Sequence, residues 1–319
     1  LRFSVRSIGV SLTARYDLVF ATSTPLTASI PGIAARWLRR KPFVFEVRDL
    51  WPELPREMRV ITNPLILDAM RALEWVSYHS AHRLIGLSPG IVDGIARRGI
   101  ARDLIAMIPN GCDVDLFQTA AVSWRPEYVR DDQLLAVFTG AHGIANGLDT
   151  LIDAASVLKQ RDRDDICLLL VGDGKLKPHI QQRVRDEGLG NIVRFMDPIP
   201  KTQLVGLLAD ADIGLQILAN VPAFFYGTSP NKFFDYLASG LPVLTNYPGW
   251  VADLVRENNC GFAVSPENPI AFADTLETAH EDLGNLKHLG ANARLLAETQ
   301  FNRNELVCSS YSGLKQRHG

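Results

Sequence analysis

The 319-residue sequence is poor in several things. It has four cysteines, Cys112, Cys167, Cys260 and Cys308, none in a C-x-x-C pair or at zinc-like spacing. That argues against a disulfide framework or a structural zinc site, and for free thiols in a reducing compartment. Apolar runs reach only about eight residues, far short of the ~20 that a membrane-spanning helix needs. The net charge is only −2, which argues against a general nucleic-acid binder. There is no visible secretory signal, no H-E-x-x-H and no carboxylate cluster of the metal-binding kind. The strict G-x-G-x-x-G dinucleotide fingerprint is missing too, which weakens a nicotinamide-enzyme reading.

What is present is ordinary globular material. Hydrophobic residues make up 47 % and charged residues 21 %, enough apolar side chain for two cores and too much for a disordered chain. At ~150 residues per domain, the length suggests two domains. The charge is unevenly spread. Residues 1–125 carry 16 Lys and Arg against 11 Asp and Glu, and the remainder 17 against 24. A basic N-terminal part suits an anionic head group or membrane surface, although scattered solvated charge is the plainer reading.

Short apolar runs alternate with helical patterns along the chain. Strands are expected at 17–21, 43–47, 83–87 and 104–108, with helices over about 27–40, 63–81 and 89–98 between them. The polar stretch 118–132, with Pro126, reads as a linker. The rhythm then restarts, with strands at 134–139, 166–171, 192–195, 213–216, 243–245 and 261–264 and helices between them. Near-continuous apolar strands alternating with helices imply parallel sheets covered on both faces. The expectation is an α/β chain of two Rossmann-like domains, each binding ligand at the carboxyl ends of its strands, with a cleft between them. The boundaries drawn are 1–125, 126–300, and a C-terminal helix over 301–319 packing back toward the first domain.

Three sites carry chemistry. Gly140-Ala141-His142-Gly143 follows the strand at 134–139, and Gly147 opens the next helix. Such a turn is either a phosphate cradle, because backbone N–H groups can approach an anion there, or simply a tight strand-to-helix turn. His142 is either a phosphate or sugar contact or a loop-packing residue. Gly172-Asp173-Gly174 repeats the logic at the next strand end. The third site runs from Tyr226 to Pro242. Ser229 suits an N-cap and Pro230 a first helical position. The free amides of Asn231 and Lys232, the helix dipole and the Lys232 ammonium would then receive a diphosphate. Asp235 lies one turn on from Asn231, on the same face, where its carboxylate can accept two ribose hydroxyls. Gly240 and Pro242 end the helix.

The run Asp235-Tyr236-Leu237-Ala238-Ser239-Gly240-Leu241-Pro242-Val243 resembles the donor-binding segment of retaining glycosyltransferases of family 4, which have the GT-B fold. Ile108-Pro109-Asn110-Gly111-Cys112-Asp113, Ala209–Leu215 and Val193–Pro200 resemble further segments of that family, and Val47–Glu53 (V-R-D-L-W-P-E) a subgroup that builds O-antigen, capsule and exopolysaccharide units in bacteria. The resemblance implies that Asp235 holds the ribose and that Pro198 and Ile199 lie on the nucleobase. It also implies an acid eight residues before Asp235, where this chain has Gly227, so that backbone amides or Thr228 would have to substitute. Asn146 stands where the family has a diphosphate-binding Lys, and Arg48 where many members have a sugar-contacting His. Arg48, Asp49 and Lys232 are the candidate catalytic residues. Gly140, His142, Gly143, Asn146, Gly172, Gly174, Pro198, Ile199, Gly227, Thr228, Ser229, Pro230, Asn231, Lys232 and Asp235 are the candidates for donor binding.

The implied activity is transfer of a sugar, with retention, from a nucleotide-sugar such as a uridine diphosphate sugar to a glycan or polyprenyl-linked acceptor, without a metal or other cofactor. Asp210-Ala211-Asp212 is not read as a metal motif. Arg36, Trp37, Arg39, Arg40 and Lys41 form a candidate interfacial patch for a cytoplasmic protein peripheral to the inner membrane face, although cations also suit a helix C-terminus. An epimerase of the same fold and a non-catalytic nucleotide-sugar-binding module are the alternatives. Relative to the family, the N-terminal domain reads as incomplete, with no βα unit upstream of Asp17.

Overall fold

A computed structural model describes residues 2–118 and 122–306. The chain divides into two compact units. One runs to Pro109 and takes in Val221–Ser229, while the other holds Asn110–Asn220 and the chain from Pro230 onward. The divide precedes the polar stretch 118–132, where the expected boundary at 125/126 lay. The reason is local packing. Cys112 is buried and its Sγ donates to the Phe234 carbonyl at 3.2 Å, while its N–H donates to Phe301 O at 2.6 Å. These bonds hold the segment after Pro109 to the second unit. Of the helix expected over 301–319, residues 307–319 lie outside the described residues.

In the first unit α1 (Arg2–Thr13), β1 (Val19–Thr22), α2 (Ile30–Arg39), β2 (Phe43–Val47), α3 (Glu53–Glu57), α4 (Pro64–Ser80), β3 (Arg83–Gly86), α5 (Pro89–Ala96) and β4 (Ile105–Met107) follow in order. The four strands pair in parallel in the order β1-β2-β3-β4. Phe43, Phe45, Leu84, Ile91 and Ile95 fill the core. Gly32 of α2 lies directly on the Phe43 ring, where a Cβ would come within 2.3 Å. Helix α1 occupies a stretch for which the sequence reading had placed no element. Helix starts are well marked: Asn63 and Ser88 cap α4 and α5 with side-chain oxygens, and a proline follows each.

The second unit holds α6 (Val114–Gln118), β5 (Leu134–Thr139), α7 (Asp149–Gln160), β6 (Ile166–Val171), α8 (Lys177–Asp186), β7 (Val193–Met196), α9 (Lys201–Asp210) and β8 (Ile213–Gln216). The chain crosses the first unit as α10 (Pro222–Gly227). It returns as α11 (Asn231–Ser239), β9 (Val243–Thr245), α12 (Trp250–Glu257), β10 (Gly261–Ala263), α13 (Pro269–Glu281) and α14 (Leu283–Gln300). Six parallel strands run β10-β9-β8-β5-β6-β7. Every residue of β5 and β6 is buried, as strands covered on both faces require. Because all strands are parallel, their carboxyl ends share one edge, and the glycine turns lie there.

Tyr236 fixes α11 against that edge. Its ring fills the space above Gly214 of β8, where a Cβ would meet it at 2.4 Å. Its hydroxyl accepts from the Thr139 N–H at 2.9 Å, at the end of β5. Tyr236→Phe keeps the ring but leaves that buried amide unpaired. The expected loss is about 1–3 kcal/mol, read by urea denaturation. An unchanged midpoint would show that the hydroxyl carries no weight.

Candidate functional site

The two glycine turns press on each other. Gly140 N–H donates to Val171 O at 3.0 Å, His142 N–H to Asp173 O at 2.8 Å, and Leu176 N–H to His142 O at 2.9 Å. At Gly172 (φ 147°) a Cβ would stand 1.9 Å from the Gly140 carbonyl oxygen, and at Gly174 (φ 157°) 2.5 Å from His142 O. These two glycines are therefore required by backbone contact itself. Gly143 differs: a Cβ there meets nothing within 4 Å.

Lys232, in the first turn of α11, points into the same edge. Its Nζ donates to Asn146 Oδ1 at 2.9 Å and lies 3.8 Å from the Phe138 ring centroid. Asn146 is oriented in turn by donating to Ala141 O at 2.7 Å. Among the described residues no carboxylate pairs with Lys232, and burial pushes its pKa down to about 7. His142 is wholly buried, and neither ring nitrogen has a hydrogen-bond partner among the described residues. Burial first, then the nearby Lys177 and Lys232 charges, push its pKa down to about 4, so it is neutral at pH 7. Lys177, itself buried, donates to Gly172 O at 2.9 Å and Asp197 Oδ1 at 2.6 Å. The edge thus carries a half-buried ammonium with one side-chain acceptor and a buried neutral imidazole whose ring nitrogens have no partner among the described residues.

The start of α11 corrects one expectation. The helix begins at Asn231, and Pro230, which has no side-chain acceptor, holds the cap position expected for Ser229. Ser229 belongs with the first unit, as do Gly227 and Thr228. Asp235 is half-buried and pairs with Lys201 Nζ at 3.0 Å, and Lys201 also reaches Asp113 Oδ2 at 2.8 Å. Arg303 pairs with Asp113 from the far side. Burial raises the Asp235 pKa, with Lys201 pulling against it. Pro198 is exposed and Ile199 half-buried in the turn that leads into Lys201. Sequence reasoning missed Lys201. Its one signal was a cation in the first turn of a helix, where the dipole opposes it.

The first unit holds the other candidates. Arg48 and Asp49 follow β2. Arg48 N–H donates to Ser23 Oγ at 2.8 Å, and Asp49 Oδ2 accepts from Thr24 Oγ1 at 3.1 Å. Burial raises the Asp49 pKa, against Thr24 and Arg48. Asp49, Glu53, Glu57, Arg97, Gly227 and Thr228 line one cavity of about 140 Å³. Within it Glu57 Oε2 accepts the Ala223 N–H at 2.9 Å, and Thr228 Oγ1 donates to Phe224 O at 3.1 Å. The residues read together as one donor segment are therefore shared between the units.

The remaining expectations resolve simply. Trp37 and Leu38 are 65 % and 71 % exposed, and Arg40 is exposed beside them. Arg36 lies over the Trp37 ring, and Lys41 over that of Tyr16. Arg39 is tied to α1, donating to Ser11 O and Ala14 O at 3.1 and 2.7 Å. Asp210 and Asp212 pair with Arg125. Cys112, Cys167 and Cys260 are buried free thiols, each pushed up to about 12 by burial, and Cys308 lies outside the described residues. Among the described residues no helix is long and apolar enough to cross a membrane.

Two parallel-sheet Rossmann-like units of four and six strands, with glycine turns and a helix N-terminus at one sheet edge, define the GT-B class of fold. Residues 133–282 match the family "Glycosyl transferases group 1" and residues 2–111 the "Glycosyl transferase 4-like domain". The two glycosyltransferase family models thus match successive parts of the chain and together span most of it. It is similar to the D-inositol 3-phosphate glycosyltransferase of Corynebacterium glutamicum (strain R), at 27 % identity over 195 residues, 56 % of this chain and 44 % of that one. It also matches an uncharacterized glycosyltransferase, MJ1607, of Methanocaldococcus jannaschii, at 22 % identity over 71 % of this chain and 58 % of that one. The matched stretches thus span about half the length of these relatives. In structure it resembles Anabaena Alr3699/HepE in complex with UDP-glucose, with TM-score 0.77 and 20 % identity over 97 % of this chain and 82 % of that one.

The two kinds of glycine separate by substitution. Gly172→Ala is expected to cost about 2–4 kcal/mol in denaturant unfolding, from strain at positive φ and collision with Gly140 O. Gly143→Ala should stay within about 0.5 kcal/mol. Equal costs would contradict the geometry.

Proposed function

We propose that this chain transfers a sugar from a uridine diphosphate sugar to a glycan or lipid-linked acceptor, with retention, in the assembly of cell-surface polysaccharide. The observation that carries the reading is Lys232: a half-buried ammonium with no carboxylate partner among the described residues, in the first turn of a helix whose cap position is Pro230, beside the glycine turns. Such a site is complementary to a diphosphate. In this reading Asp235, one turn on, takes the ribose, and Pro198 and Ile199 lie on the base. The Anabaena protein of the same fold, crystallised with UDP-glucose, supports a uridine diphosphate donor.

In the proposed reaction the bond from the sugar C1 to the diphosphate oxygen breaks as the acceptor oxygen bonds to C1 on the same face. The acceptor proton passes to the departing phosphate oxygen. Lys232 and the first amides of α11 stabilise the charge that builds there. His142, neutral and wholly buried between Phe138 and Phe195, packs the glycine turns. No metal takes part in this reading. Arg48 and Asp49 serve the acceptor side in this reading. The curated relatives named above act on an inositol phosphate or are uncharacterized, so acceptor chemistry rests here on the resemblance of Val47–Glu53 alone. A lipid-linked acceptor would bring exposed Trp37, Leu38 and Arg40 to the membrane surface as a peripheral contact.

A second reading, binding without turnover, draws on Gly227, where the family acid is replaced by a residue with no side chain. A nucleotide-sugar panel by thermal shift, followed by transfer assay on the best ligand, separates the two. UDP-glucose is expected to raise Tm, and Lys232→Ala to weaken its binding by about tenfold or more, the scale of a lost charge-assisted contact. Unchanged affinity in Lys232→Ala would refute the diphosphate site, and tight binding with no transfer would favour the second reading.

The pH dependence has a definite sign. Anion binding raises a lysine pKa that stands at about 7 in the free protein. UDP-glucose affinity should therefore be flat below pH 7 and fall above it, approaching about tenfold per pH unit. Calorimetry between pH 6 and 9 reads this, and a flat profile would contradict the depressed Lys232.

A further inference from the structure

We propose that Lys201 is a positioning residue of the nucleoside site: clamped by Asp113, its ammonium holds the Asp235 carboxylate charged and aimed so that it can accept the ribose hydroxyls. This inference rests on the nucleotide reading of Asp235 given above.

The geometry is a chain of alternating charge drawn from four segments. Arg303, just beyond α14, pairs with Asp113 in the segment before α6. Asp113 Oδ2 lies 2.8 Å from Lys201 Nζ in the first turn of α9, and Lys201 Nζ lies 3.0 Å from Asp235 Oδ1 on α11. The ammonium also sits 5.7 Å from the Phe117 ring centroid. A lysine in the first turn of a helix opposes the dipole, so α9 gains nothing from it in stability. Its place is accounted for by what it joins. Residues 198–200, expected to lie on the base, run directly into Lys201, and Asp235 is expected to take the ribose. Lys201 therefore stands between the two halves of a nucleoside.

Asp235 needs such a neighbour. Its side chain is only 17 % exposed, and burial raises its pKa. Lys201 and the more distant Arg303 lower it, while Asp113 raises it. Cys112, buried nearby with its thiol protonated, contributes no charge, and Arg294 is committed to Glu298 and the Ala238 carbonyl. Burial works against the Lys201 charge as well, but Asp113 and Asp235 outweigh it and raise its pKa. The ammonium is therefore permanent across the working range. A neutral Asp235 would present one hydroxyl and one carbonyl in place of two acceptors, and would hold a ribose diol less well.

The test compares UDP with inorganic pyrophosphate, which has no ribose, by calorimetry from pH 5.5 to 8.5. Lys201→Met should weaken UDP about tenfold at pH 6 and by less than about threefold at pH 8, because the carboxylate recovers its charge as pH rises. Pyrophosphate affinity should not change, and Lys201→Arg should restore UDP binding at pH 6. Asp113→Asn should act in the same direction but more weakly. Thermal melts of each variant check folding. If Asp235→Asn weakens UDP while Lys201→Met leaves it unchanged at every pH, Lys201 has no positioning role and the nucleotide reading stands. If Lys201→Met weakens UDP and pyrophosphate alike, or weakens UDP equally at pH 6 and 8, the effect is structural or a general loss of charge and the proposal fails. If neither the wild type nor Asp235→Asn responds to UDP, the nucleotide reading falls and this inference with it.

Discussion

Backbone contact between the turns after β5 and β6 is the constraint on which the second unit's site depends. Gly172 lies against the Gly140 carbonyl and Gly174 against that of His142, closer than any side chain allows. That approach buries His142, because its ring has nowhere to go but between Phe138 and Phe195. It also sets Gly140 beside Lys232, with Nζ at 3.4 Å from where a Cβ would stand. The ammonium is thereby confined among backbone, an amide oxygen and an aromatic face. Its depressed pKa follows from that packing, since burial disfavours the charged form where no counter-charge is at hand.

Two polar arrangements sit about one turn apart on α11 and behave differently. Lys232 has a half-buried charge and no counter-ion among the described residues, so the site gains from an anion. Asp235 is half-buried and has a built-in counter-ion, Lys201, which opposes the rise in pKa that burial causes. One helix turn thus presents a group awaiting negative charge and a group already neutralised. That is the pattern expected where one ligand brings a diphosphate to one end and an uncharged diol to the other.

Much of this was legible in the sequence. Strands 43–47, 134–139, 166–171, 213–216 and 243–245 agree to the residue with those observed, because buried parallel strands are continuous apolar runs bounded by turns. Less was legible where an element's reason lies elsewhere in the chain. Helix α10 is six residues with no periodicity of its own, and it exists because Tyr226 packs on Gly90 and Glu57 accepts the Ala223 amide. The short stretch 110–118 reads as the tail of the first domain, yet Cys112 and Asp113 are bound to Phe234, Phe301 and Lys201, far along the chain.

By itself the sequence determined the class of fold and the residue types at the sheet edge: glycines where strands end, proline and free amides where α11 begins, Lys232 and Asp235 one turn apart. Those are local properties, governed by apolar periodicity, turn chemistry and helix spacing. Only the tertiary structure decided which glycines are demanded by packing and which, like Gly143, face open space. It alone joined Lys201 to Asp235 across 34 positions and gathered Asp49, Glu57 and Gly227 around one cavity. Burial and pairing of charge depend on what the rest of the chain brings alongside, and no local pattern records that.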